Sequence, residues 1–254
     1  MKCTKLIYAM IYGLLFFPAV LPAQGIGQMA QRADSLYADY EEERALKLYL
    51  EILDQKPDHY RSLWRSSFLH SRLGNRLDDK DEQARYFDRA INLAEQALDI
   101  DSTDSQSNFV MSVAMGRKAL ISGARDRVAA SRAIKKYADR AIRYDSTNAG
   151  AWHILGRWHF KIANLNWVER LAANTLFGGI PGDASNEEAA QNIRKAVSLN
   201  DRYILYYYDL ARVYKALGHE KQAIETCQEA IGLPVLTDGD IEIKKQCQQL
   251  IRNI

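Results

Sequence analysis

Histidine has the widest chemical range of any side chain here, as metal ligand or proton carrier. The sequence has five: His59, His70, His153, His159 and His219. Only His153 and His159 lie close together in sequence. Six residues along a helix put two side chains on opposite sides, so this pair forms no local metal site. Both read as packing residues of a helix. The spacings HExxH, GxSxG, GxxxxGKS/T and CxxC do not occur. Carboxylates are many, but they sit beside Lys and Arg at the spacing of solvated helix faces. Nothing pairs a nucleophile with a base or gathers a metal set. The expectation is a protein without catalytic residues, metal or cofactor.

Two other groups of side chains point to binding. Arg125, Arg132, Lys136, Arg140 and Arg143 recur at intervals of 7, 4, 4 and 3, which places them on one stripe of a helix. Such a stripe is either a solvated outer face or a dock for an anionic partner or lipid headgroup. The second group is aromatic. Trp158 and Trp167 stand in one stretch, and Tyr206, Tyr207 and Tyr208 are consecutive. Neighbours on a helix differ by about 100°, so three tyrosines cannot share one core. At least one of Tyr206 and Tyr208 is expected to line a concave surface or meet the segment around Trp167. Trp158, Trp167, Arg170, Tyr206 and Tyr208 are the candidate contacts for a ligand or partner.

These residues need helices to hold them, and the chain carries a helical period. Five segments end alike, around Ile52, Ala97, Ala141, Ala196 and Ala230. Each has small or apolar residues, then a Pro or an Asp/Ser stop. The last spacing is 34 residues, the tetratricopeptide period, and the earlier ones are 45, 44 and 55. The pattern predicts an all-α, tetratricopeptide-like superhelix of about five hairpins with insertions. Paired helices are expected near 26–40 and 42–55, 58–73 and 80–100, 104–121 and 125–144, 148–163 and 185–199, and 202–217 and 220–232. A capping helix near 238–252 would start at Asp238 as N-cap. The largest insertion, 164–182, contains GGIPG and predicts a sharp reversal at 178–182. It either covers a seam or forms a lid over the concave groove.

The first 23 residues read as a secretory leader. Lys2 and Lys5 precede the apolar run Leu6 to Val20, Pro18 and Pro22 break it, and Ala23 offers the cleavage site. The remainder, 24–254, forms one repeat domain. Losing Lys2 and Lys5 leaves 32 Lys plus Arg against 32 Asp plus Glu. That balance argues against a nucleic-acid partner. Cys227 and Cys247 remain, on adjacent expected helices; whether they pair is left open by their unequal distances from the connecting loop.

His153, Gly156, Trp158, Ala163, Trp167, Arg170, Ala172, Leu176, Phe177 and Pro181 stand in the order H-x-x-G-x-W, A-x-x-x-W-x-x-R-x-A, L-F, P. In these residues the chain resembles the regulator of microtubule dynamics family of tetratricopeptide-like proteins, over about 105–250. The leader suggests an exported, bacterial relative. The resemblance implies a helical fold and a cavity. Eukaryotic members are associated with microtubules and membrane contact sites, and one branch is linked to phospholipid binding in the helical cavity. It implies no catalytic residue.

The expected function is non-enzymatic. One reading is a scaffold of the cell envelope, periplasmic or extracellular, that binds a protein or peptide on its concave face. The alternative is a carrier of a lipid or small apolar ligand, in a cavity closed by 164–182. The leader can be checked first. Protein exported by its host should begin at Gln24, as read by intact-mass spectrometry; a mass that retains residues 1–23 would refute cleavage.

Overall fold

The computed structural model describes residues 25–177 and 183–254. The expected leader, 1–23, and the expected reversal at 178–182 lie outside these residues. Among the described residues there are twelve helices and no strand. They are α1 (Ile26–Ala38), α2 (Glu42–Gln55), α3 (Tyr60–Gly74), α4 (Lys80–Ile100), α5 (Ser105–Ile121) and α6 (Ala124–Tyr144). Then follow α7 (Ala149–Ala163), α8 (Trp167–Phe177), α9 (Asn186–Leu199), α10 (Ile204–Ala216), α11 (Glu220–Gly232) and α12 (Asp238–Arg252). The hairpins are α1–α2, α3–α4, α5–α6, α7–α9 and α10–α11, with α8 inserted in the fourth and α12 packed on the fifth.

The repeat period reflects burial. Ile52, Ala97, Ala141, Ala196 and Ala230 are all fully buried. At these positions the second helix of each hairpin meets its neighbours, and a small side chain lets backbones approach. The stops are built alike as well. Asp101 and Asp145 each cap a helix and turn their carboxylates onto the backbone N–H of Thr103 and Thr147. Three residues further on, Asp104 and Asn148 accept N–H bonds that start α5 and α7. The DST repeat thus ends one helix and leads into the next. Gly218 turns α10 into α11 at φ +75°, a conformation that favours glycine.

The longer early spacings lie in the helices themselves. α4 and α6 each have 21 residues, whereas α2 and α9 have 14 and α11 has 13. The extra length of the second and third hairpins therefore lengthens their outer helices by about two turns. Only the fourth hairpin inserts a separate element, α8. The capping helix starts at Asp238, so its N-cap lies one residue before the expected one: Thr237 fills that position, and the Asp240 carboxylate accepts from the N–H groups of Leu236 and Thr237. A carboxylate one turn into the helix reaches back over the free N–H groups that open it. Cys227 and Cys247 are free, buried thiols of α11 and α12 in the same C-terminal core.

Gly156 marks a close contact between α7 and α9. A Cβ there would fall 2.5 Å from Ile193 Cγ1 and 3.0 Å from the Ala189 carbonyl oxygen of α9. Gly156→Ala should therefore overpack the α7–α9 seam and cost about 1–3 kcal/mol of stability. Urea unfolding checks this; an unchanged midpoint would show that the seam relaxes freely.

Candidate functional site

The superhelix curves tightly. Arg72 on α3 donates from Nη1 to the Tyr203 hydroxyl at the start of α10, 2.9 Å away and 131 residues on in sequence. The same guanidinium donates from Nε to Glu42, 2.8 Å away on α2. Glu42 is almost fully buried and also holds Arg76. This contact ties the second hairpin to the fifth. Inside the curve is a cavity of about 1000 Å³, walled mainly by the first helices α3, α5, α7 and α10.

One wall is a polar cluster around Asp209 on α10. His153 Nε2 donates to its carboxylate at 2.9 Å, Arg212 lies at 3.2 Å, and Arg157 Nε at 3.6 Å. Burial alone would raise the Asp209 pKa. Arg157, the His153 bond and Arg212 outweigh it and hold the carboxyl well below the usual carboxylate range. His153 is pushed the opposite way. Burial lowers its pKa more than Asp209 raises it, so the ring is neutral. Tyr206 packs on that ring at 4.5 Å and Tyr203 packs edge-on to Tyr206 at 4.7 Å.

A second cluster seats α8. Asn166 and Glu169 form a reciprocal cap: the Asn166 side chain accepts from Glu169 N, and Glu169 accepts from Asn166 N. The Glu169 carboxylate is buried and pairs with Arg127 on α6 at 2.9 Å and Lys161 on α7 at 3.5 Å. Burial would raise its pKa; the Asn166 N–H, Lys161 and Arg127 together bring it down. The short helix is thus pinned at its N-terminus, with Ala173 facing the cavity.

The structure separates the candidate contacts. Trp158 and Tyr206 are buried and line the cavity, and Trp158 Nε1 donates to the Ser131 carbonyl at 2.8 Å. Tyr208 is half-buried beneath Arg212, away from the cavity. Trp167 and Arg170 face outward, and Trp167 is 77% exposed, with Val168 and Leu171 exposed beside it. The cause is rotation of α8: the buried Glu169 turns the residues before and after it to solvent. Of the basic stripe on α6, Arg125, Arg132, Lys136 and Arg143 are exposed and Arg140 is half-buried; Arg132 also reaches the cavity rim. Asp139 pairs with Lys135 rather than with the stripe, at 3.0 Å.

Sequence reasoning missed Arg72, Arg117, Arg157, Glu169, Tyr203 and Asp209. One signal was available. Arg72 and Arg117 each lie thirteen residues after their N-caps, His59 and Asp104, and Arg157 and Arg212 each lie nine after Asn148 and Tyr203. Equal offsets in stacked helices mark one face. The N-x-x-E cap at Asn166 was likewise readable. Among the described residues no group of three or more His, Cys, Asp or Glu could hold a metal, and no helix is long and apolar enough to cross a membrane.

The family model for regulator of microtubule dynamics protein 1-3 matches residues 29–254, taking in the N-terminal hairpins as well. Regulator of microtubule dynamics protein 3 of Xenopus laevis is 26% identical over 227 residues, covering 88% of this chain and 49% of its own length. The human protein 2 is 24% identical over 237 residues, covering 83% and 58%. The chain spans about half the length of these relatives. Among solved structures, a thermophilic tetratricopeptide-repeat protein of Thermus thermophilus aligns at TM-score 0.63 with 15% identity, over 90% of this chain and all of its own. A tetratricopeptide repeat protein of Parabacteroides merdae aligns at TM-score 0.55 with 13% identity, over 88% and 71%. These two likenesses establish the fold.

Burial lowers the pKa of His70, His153 and His159 alike. Above the unfolded value of about 6.5 the rings are neutral in both states, and their stability contribution is complete. Below it the unfolded chain takes up protons that the folded chain refuses. Melting temperature should therefore fall as pH drops from about 7 to about 5. Calorimetry across this range checks it, and His153→Gln should flatten part of the slope. A melting temperature independent of pH would contradict the buried neutral rings.

Proposed function

The chain belongs to the regulator of microtubule dynamics protein 1-3 family, and from that premise we propose that it is a non-enzymatic binding module that holds a segment of a partner protein or peptide inside its curve. We place it in the cell envelope, periplasmic or extracellular, on the strength of the leader. The observation that carries the reading is the cavity walled by successive first helices and closed by the Arg72–Tyr203 bond. Concave faces of helical arrays are extended binding surfaces, and this one mixes aromatic side chains with hydrogen-bonding groups such as Gln106, Asn148 and Asn200. The microtubule role in the relatives' names is not transferred, because the match covers only about half of their length.

A second reading has its own observation. Where α5, α6 and α8 meet, Leu120, Val128, Ile134 and Ala173 make an apolar side to the same cavity. A lipid or small apolar ligand fits that side, with α8 as its cover. The two readings part in one pair of measurements. Crosslinking and affinity capture from an envelope extract of the host should recover a defined protein at stoichiometric yield. Capture no better than with an Arg72→Ala, Tyr203→Phe variant, together with a lipid on the native mass spectrum, would replace the scaffold by the carrier.

A further inference from the structure

The cavity has a charge imbalance that its own ion pairs leave standing. Among the described residues, eight Arg and Lys side chains line it against three Asp and Glu. Glu42 is taken by Arg72 and Arg76, Glu169 by Arg127 and Lys161, and Asp209 by Arg157, Arg212 and His153. No lining carboxylate is spare. Arg117 on α5 stands between the pairs of Arg72 and Arg157, and no carboxylate among the described residues lies within ion-pair distance of it. Its one hydrogen bond runs from Nη1 to the Asn75 side-chain oxygen, at 2.6 Å. Arg65 on α3 also has no carboxylate among the described residues within ion-pair distance. Its guanidinium stacks on Tyr37 at 4.0 Å and Trp64 at 4.2 Å, and its buried Nε has no hydrogen-bond partner.

Such an arrangement costs stability in the empty protein. An enclosed cation without a counter-charge is penalised by lost hydration and by its neighbours. Arg117 shows both effects: loss of water and then the adjacent Arg157 push its pKa down to about 10. An incoming anion relieves that penalty, and guanidinium matches a carboxylate with two parallel N–H bonds. The distribution of the charges selects the kind of anion. They are carried by different helices, and the two that have no carboxylate within ion-pair distance, Arg65 and Arg117, stand on α3 and α5. Arg65 and Arg72 are two turns apart on α3, Arg117 is on α5, and Arg157 and Arg212 follow on α7 and α10. The row runs round the inner face, and the Arg72–Tyr203 bond brings its two ends together. An extended chain with several carboxylates fits a row of this kind, and stacked aromatic rings such as Phe68 and Phe109 offer apolar contacts between them.

We propose that the cavity is a binding site for an acidic peptide segment of a partner protein, with Arg117 and Arg65 receiving its carboxylates. This deepens, and rests on, the reading of the chain as a peptide-binding module. Arg117 acts as the central contact because the arginines on either side are already paired.

The test uses the purified protein and a phage-displayed library of random heptapeptides. Selected peptides should be enriched in Asp and Glu, and their affinity should fall steeply with added salt. For a selected peptide labelled with fluorescein, Arg117→Gln should weaken binding at least tenfold while leaving the melting temperature equal or higher, since an unpaired charge is removed. Replacing the peptide's acidic residues by Gln should weaken binding similarly to wild type and much less to the Arg117→Gln protein. The peptide-side change needs no protein variant, so it decides the matter even if Arg117→Gln misfolds. Selection of peptides with no acidic preference would overturn this proposal and leave the peptide-binding reading intact. Failure to select any peptide would overturn both, and an anionic lipid retained in native mass spectra would then assign the arginines to a headgroup.

Discussion

A helical hairpin has apolar residues on more faces than its own partner helix can cover. Each hairpin of this chain therefore depends on the next to bury what it leaves open. That dependence explains why the positions with least tolerance are small. Ala45, Ala97, Ala141 and Ala196 are fully buried because a larger side chain would hold neighbouring hairpins apart. Gly156 carries the same logic to its limit, where the α9 backbone leaves no room for even a Cβ. Stacking under this constraint adds a small rotation per unit, and five units bend far enough for α3 to meet the start of α10.

Closure changes the chemistry of the inner face. In an open array, arginines on a concave surface are hydrated and nearly independent. Once Arg72 reaches Tyr203, the face becomes the wall of a partly closed cavity, and each charge there must be matched or accepted as a cost. Most are matched. Glu42 and Asp209 stand near opposite ends of the row and each gathers more than one cation. His153 is neutral there, because burial outweighs its carboxylate partner. The residual positive charge is concentrated at Arg117 and Arg65, which have no carboxylate among the described residues within ion-pair distance. A module that binds by its inner surface gains from this, since the interior is arranged before the ligand arrives and little ordering remains to be done.

The insertion has a different part from its aromatic content. The three tryptophans between Trp152 and Trp167 have separate surroundings. Trp152 donates its indole N–H to the Ser146 carbonyl, Trp158 packs inside the cavity, and Trp167 faces out on α8. What fixes α8 is polar: the Asn166–Glu169 cap and the pairs of Glu169 with Arg127 and Lys161. Side chains that looked like ligand contacts by type are here surface residues, and a carboxylate of ordinary appearance sets the helix.

The sequence by itself determined the helices and their pairing. Local signals suffice for that: the burial period, the DST stops, the glycine at position 218 and the small residues at seams all act within a few turns of the backbone. Of the candidate contacts it named, Trp158 and Tyr206 line the cavity, although Tyr206 shares its core with Tyr207 and Tyr208 packs against the same cluster. Only the tertiary structure decided which charges face one another. The Arg72–Tyr203 bond spans 131 residues, and the Asp209–His153 bond 56. No local pattern encodes such distances, since they follow from the summed rotation of hairpins whose lengths differ. The unpaired state of Arg117 is decided in the same way: it is a property of the neighbours that the curve brings to it, not of the residues beside it in the chain.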